Sequence, residues 1–196
     1  MRLKINFFNR NTVIVAQELL GKYLIRRVGK KVVAAKITET EAYCGIEDKA
    51  CHASKGLTPR TKVMFGPPGH AYIYLIYGMY HCLNVVTREE GHPEAVLIRR
   101  CELISIKNQV LSIKDKKKES LIHNTKYIIQ NTILSGPGKL CRALKIDRSL
   151  NGIDLCKSKE LWMEDRGDEI RSIKKGKRIG VDYAGKWKDK LWRFYL

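Results

Sequence analysis

Residues 71–87 read AYIYLIYGMYHCLNVVT, and this stretch decides the fold class. Ala71–Ile76 and His81–Thr87 are rich in β-branched and aromatic residues, which predicts two strands. Between them Tyr77-Gly78-Met79-Tyr80 forms the turn, with Gly78 free to take the positive φ that a tight hairpin needs. Strands joined so closely pair antiparallel. Upstream, Tyr23–Arg27, a turn at Gly29, and the alternating stretch Lys31–Tyr43 read as two more strands. Downstream, Ala95–Cys101 reads as a strand after a Gly-His-Pro break.

Farther out the periodicity changes. Phe7, Val13, Val15, Ala16, Leu19 and Leu20 fall on helical spacing, with Asn11 or Thr12 as N-cap and Gly21 as stop. Residues 44–69 lack a period and hold three prolines and four glycines, as an irregular folded loop does. The polar stretch 105–131, with its charge run Lys114–Lys118, reads as a flexible segment or a surface helix. Ser135-Gly136-Pro137-Gly138-Lys139 reads as a loop leading into a helix from Leu140 to about Leu144. Leu161–Glu164, Arg178–Val181 and Leu191–Tyr195 read as strands. Helical and β segments mix without a regular βαβ beat, so the expected fold is a mixed α/β, or α+β, single domain with a largely antiparallel sheet.

The length of 196 residues favours one domain, here 1–196. A hydrophobic share of 44% supports a sizeable core and excludes a mostly disordered chain. No apolar run reaches the ~18 residues of a membrane span. The opening residues carry no signal-peptide core, so a soluble intracellular protein is expected. The six cysteines stand singly without a CxxC, which favours reduced thiols over a zinc ribbon or a redox dithiol. Against 20 Asp+Glu stand 38 Lys+Arg, a net charge of +18, and the surplus runs through every quarter of the chain. A folded body this basic attracts polyanions, nucleic acid first among them. A lysine-rich proteome bias leaves the same surplus.

The densest chemistry lies in Thr38-Glu39-Thr40-Glu41-Ala42-Tyr43. On a strand, Glu39, Glu41 and Tyr43 share one face. One carboxylate there can take a proton from water beside an aromatic wall; a solvated strand face has the same pattern. His52 can partner Glu41 or pack as an ordinary histidine, and one His with two Glu is too few donors to claim a metal site. Tyr72 and Tyr74 share a strand face, suited to stacking on a base or to core packing. Tyr77 at the hairpin tip can wedge between bases. Ser135–Lys139 can present Lys139 and backbone N–H groups to a phosphate, though it is not a Walker A loop and a plain turn fits equally well. Met79, in the hairpin turn, is a second candidate phosphate contact. The basic stretch Arg171–Arg178 reads as a solvated or phosphate-facing surface.

The chain carries, in order, TETEAY, EDKACH, TPR with MFGPPGHAYIYLIYGMYHCLN, VLIRR, SGPGKLCRAL and RIGVDYAGKWKDKLWRFYL. Together these resemble the alkyladenine (methylpurine) DNA glycosylases, or type II 3-methyladenine DNA glycosylases, from about residue 13 to the C-terminus. The resemblance implies a curved antiparallel sheet with surrounding helices and a protruding hairpin, without metal or cofactor. It implies that Glu41 is the general base for the water attacking the deoxyribose C1′. Arg99 is implied near that water and the phosphates. Tyr43, His52 and Tyr74 are implied to stack on or hydrogen-bond the flipped base. Asn84 is implied to screen against guanine, with backbone around Ala50 and Val181 lining the pocket, and Tyr77 to fill the gap in the DNA stack.

The implied activity is monofunctional base excision: alkylated purines such as 3-methyladenine, and neutral lesions such as hypoxanthine as an open case, leave duplex DNA as free base. The expected partner is double-stranded DNA with a damaged purine, the expected state a monomer without membrane contact. The expected place is the bacterial cytoplasm with the nucleoid, or a nucleus in a eukaryote. Residues 105–131 resemble little, and the mammalian N-terminal extension is missing. Two other readings stay open: a non-catalytic nucleic-acid-binding protein, and a metal-dependent phosphodiesterase using Glu39, Glu41 and His52.

Overall fold

Asn11 starts the first long helix. Its side chain accepts hydrogen bonds from the N–H groups of Val13 and Ile14, satisfying two donors that the first turn leaves free. Helix α2 then runs Thr12–Glu18, and Gly21 follows with φ +80°. Phe7 belongs to a separate short helix, α1 (Ile5–Phe8), so the helical spacing across residues 7–20 is broken at Asn9–Asn11. The computed structural model describes residues 1–104 and 132–196; the polar stretch with its charge run lies outside the described residues.

Nine strands form one sheet among the described residues: β1 (Tyr23–Val28), β2 (Lys31–Cys44), β3 (Ala71–Ile76), β4 (Tyr80–Thr87), β5 (Glu94–Ile104), β6 (Thr132–Ser135), β7 (Leu161–Glu164), β8 (Lys174–Gly176) and β9 (Arg193–Tyr195). The main path runs β3-β4-β5-β2-β1-β7, and every named pairing is antiparallel. The two long strands change partners part-way along. The first half of β2 pairs with β1 and a later part with β9, while β5 pairs first with β4 and then with β6. Register shifts in β2 fall between Ile37 and Glu39 and between Glu39 and Thr40, at the change of partner. Such bulges bend a strand and increase its twist, and the sheet curls there. The fold is mixed α+β and mostly sheet, as expected.

The sheet packs against helices through a core including Phe8, Leu19, Leu24, Ile37, Ile98 and Leu140, all fully buried. Each such side chain contributes about 1.5–3 kcal/mol by leaving water. Thr40 Oγ1 donates to the Ala16 carbonyl at 2.7 Å and ties α2 to β2.

Three expectations need correction. Helix α3 spans Pro137–Ala143 and so starts three residues earlier than Leu140. Pro137 has no N–H to lose in a first turn, and Gly136 takes φ +102° to enter it. Arg178–Val181 is not a strand; the strand precedes it, at Lys174–Gly176, and Leu191–Tyr195 contributes only Arg193–Tyr195. Residues 44–69 are irregular as expected, with 3-10 turns at His52–Lys55 and Lys62–Phe65.

Candidate active site

The sheet register gathers the carboxylate and the aromatics. Tyr72 lies opposite Asn84, Asn84 opposite Leu97, and Leu97 opposite Glu41, in one transverse row across β3, β4, β5 and β2. Side chains in such a row share a face. Here that face forms one wall of a cavity of about 490 Å³, lined also by Tyr43, His52, Tyr74 and Arg99.

Glu41 is fully buried beside this cavity. The Tyr43 hydroxyl donates to Oε2 at 2.8 Å, and the Ile179 N–H donates to Oε1 at 2.9 Å. Arg99 Nη1 lies 3.4 Å from Oε1. Burial pushes the Glu41 carboxyl above the ordinary 4.5, while Arg99, the Ile179 N–H, Tyr43 and Arg178 pull it back. Burial, then the charge of Glu41, holds the Tyr43 phenol well above its ordinary value, so it stays a donor. Glu39 is held differently. Arg99 Nε, Arg100 Nη2 and Arg193 Nη1 engage it at 3.2, 2.6 and 3.1 Å.

His52 packs edge-on against Tyr74 with ring centroids 4.5 Å apart, and its Nδ1 lies 2.9 Å from the Tyr72 hydroxyl. Burial, aided by the nearby Arg60 charge, lowers the His52 pKa to about 4, so the ring is neutral near pH 7. The Arg60 guanidinium sits 5.1 Å from the Tyr74 ring centre. His52 therefore faces the tyrosines, and Glu39 and Glu41 are occupied by guanidinium and N–H donors. Among the described residues no group of three or more His, Cys, Asp or Glu side chains could hold a metal ion. Asn84 is buried and donates from Nδ2 to the Tyr72 carbonyl at 3.0 Å. Ala50 and Val181 pack against each other, with Tyr43 beside them.

The hairpin turn stands outside this packing. Tyr77 is 81% exposed and Met79 64%. Tyr77 takes φ +52°, a backbone region that bulky residues seldom occupy, and Gly78 follows at +68°. Tyr77 still borders the cavity mouth, as do the exposed Lys139 and Arg142 of α3. Gly138 allows the start of α3 to approach Tyr80, where an added Cβ would meet the ring at 3.0 Å.

The sequence reading assigned Asp48 no role, and both Asp48 and Arg178 prove buried. Arg178 was expected on a solvated or phosphate-facing surface. Instead its Nη1 and Nη2 grip the Asp48 carboxylate at 2.5 and 2.9 Å. These partners lie 130 residues apart, so no local pattern could pair them.

A model of the methylpurine-DNA glycosylase family matches residues 6–196. The chain belongs to this family. Relatives named "Putative 3-methyladenine DNA glycosylase" include one from Methanocella arvoryzae, 52% identical over 190 residues that cover 97% of this chain and 90% of that protein. One from Desulfitobacterium hafniense is 50% identical over 196 residues, covering 100% and 95%. One from Legionella pneumophila is 48% identical over 190 residues, covering 97% and 91%. Membership in a methylpurine-DNA glycosylase family makes DNA the substrate of this enzyme, as the basic composition anticipated. No described helix is long and apolar enough to cross a membrane.

Proposed function

We propose that this enzyme excises alkylated purines, 3-methyladenine foremost, from duplex DNA in a single hydrolytic step. The observation that carries this reading is a fully buried carboxylate, Glu41, beside an aromatic cavity whose mouth holds an exposed tyrosine on a hairpin. A base inside a duplex is out of reach, so the damaged nucleotide must rotate out, at a cost of a few kcal/mol of stacking. Tyr77 fills the vacated place, and Lys139 and Arg142 at the mouth, with exposed Arg60 over the Tyr74 ring, hold flanking phosphates. Met79, exposed in the same turn, lies against the backbone.

Inside, the flipped purine stacks among Tyr43, His52 and Tyr74. A methylated purine carries positive charge, which electron-rich ring faces attract. Asn84, held by the Tyr72 carbonyl, closes the side of the pocket that excludes an exocyclic guanine amine. Backbone at Ala50 and Val181 completes the wall. The Glu41 carboxylate takes a proton from water as the water oxygen bonds to C1′. The N-glycosidic bond breaks, and its electron pair leaves with the base. The same charge stabilises the oxocarbenium-like transition state, and Arg99 orients the carboxylate. Free purine and an abasic sugar result, with no covalent enzyme intermediate and no strand break.

Methylated DNA and a labelled duplex with one hypoxanthine, each incubated with the protein in EDTA, test this. Release of 3-methyladenine with strand breaks only after alkali is the expected result; hypoxanthine release measures the breadth of the site. DNA binding without release from either substrate would overturn the proposal in favour of a binding protein.

A further inference from the structure

Two ion pairs stand side by side in the chain and differ in kind. Lys177 and Asp189 meet at 2.5 Å with side chains 63% and 54% exposed. Arg178 and Asp48 meet at 2.5 Å with both side chains at 0%. An exposed pair holds little in place. A buried pair costs desolvation that its attraction barely repays, so stability alone is a poor account of it.

Its contacts indicate what it does. Arg178 Nη1 also donates to the Ala42 carbonyl of β2 at 2.9 Å, and Nη2 to the Trp187 carbonyl at 3.1 Å. Its guanidinium lies between the rings of Tyr43 and Trp192, 4.8 and 5.1 Å from their centres. Asp48 Oδ1 accepts from the Ala50 N–H and Oδ2 from the Cys44 N–H, both at 3.1 Å. The next residue after Arg178 is Ile179, whose N–H donates to Glu41 Oε1 at 2.9 Å although the residue is 51% exposed. No strand pairing holds Ile179, because β8 ends at Gly176.

We infer that the Asp48–Arg178 pair is a clamp that positions the Glu41 carboxylate, joining the turn that carries Ala50 to the segment that carries the Ile179 N–H and Val181. Asp48 and Arg178 are positioning residues: they act through Tyr43 and Ile179. The inference rests on Glu41 as the base. The groups facing Glu41 are Tyr43 from β2, Arg99 from β5, the Cys82 thiol from β4, and Arg178 with the Ile179 N–H from the clamped segment.

Single-turnover base release from methylated duplex, across pH, tests the clamp with Arg178→Met, Arg178→Lys and Asp189→Ala, the last of which breaks the exposed pair. Arg178→Met is expected to slow release at least tenfold while binding to a duplex with an abasic-site analogue stays within twofold. Its acid limb moves to higher pH, since Glu41 loses a cation and a fixed donor. Arg178→Lys keeps the cation, recovers part of the rate and shifts the limb less; Asp189→Ala matches the parent. A folded Arg178→Met with the parental rate and limb overturns the clamp, because a purely structural role lowers only the melting temperature.

Should Arg178→Met not fold, hydrogen exchange of the parental protein decides. Exchange at the Ile179 amide as slow as at Ala42 supports the clamp, and exchange as fast as at exposed Gly180 overturns it. A parent that releases no base fails the glycosylase proposal instead, and the exchange result still judges the clamp.

Discussion

At the floor of the site, behind the residues that line the cavity, Glu41 has no exposed surface, and both its oxygens are held by fixed donors. At the tip of the β3–β4 hairpin, Tyr77 is 81% exposed and sits in a backbone region that bulky residues seldom adopt. The floor concentrates electrostatic preorganisation, where a low dielectric makes each charge count. The tip offers an apolar surface and some backbone strain, both of which await a partner. Substitutions should therefore separate the two: floor changes act on chemistry and stability, and tip changes on binding.

The largest effect is expected for Glu41→Gln, which keeps the shape and removes the proposed base. Base release should fall by a factor of about 10²–10⁴, with damaged-duplex binding within a few-fold. A parental release rate would remove Glu41 from the proposed reaction.

Next comes Asp48→Ala, which leaves a buried guanidinium unpaired. Chemical denaturation should show a loss of about 3–5 kcal/mol, against no more than about 0.5 kcal/mol for Asp189→Ala. Similar losses for the two would end the distinction between the buried and exposed pairs.

At the tip, Tyr77→Ser should weaken binding to damaged duplex by about 1–3 kcal/mol, as loss of a stacking ring does. Its melting temperature should match or slightly exceed the parent's, because the residue packs on little. Unchanged binding in a titration would take away the wedge role.

A further difference is a pH dependence of stability. His52 has a folded pKa of about 4 against an ordinary 6.5. Between those values the unfolded chain binds the extra proton, so acidification through that window costs the parent stability. His52→Gln lacks this loss, and its melting temperature should fall less between pH 6.5 and 4. Parallel curves would show that the ring is not held neutral.

Much of the floor was legible in the sequence. Strand alternation put Glu39, Glu41 and Tyr43 together, and the hairpin around Gly78 was evident from its turn chemistry. The resemblance named Arg99, His52, Tyr74, Asn84, Ala50 and Val181, all of which line or adjoin one cavity. Alternation did not separate the two glutamates. Glu39 is held by three arginines and Glu41 by one arginine, a phenol and an N–H, and the β2–β5 register shifts on either side of Glu39. Asp48 and Arg178 were hidden because burial of a charge is set by what covers it, and a one-dimensional pattern reports charge as surface.

By itself the sequence determined the antiparallel β-rich class, the basic surface and the family, since these rest on local periodicity, summed charge and ordered motifs. Only the tertiary structure decided how each of the two glutamates is held, which arginine is buried, and that a segment without strand pairing delivers an N–H to Glu41. Those outcomes depend on contacts between residues as far apart as 138 positions, where register and burial, and no local preference, select the partner.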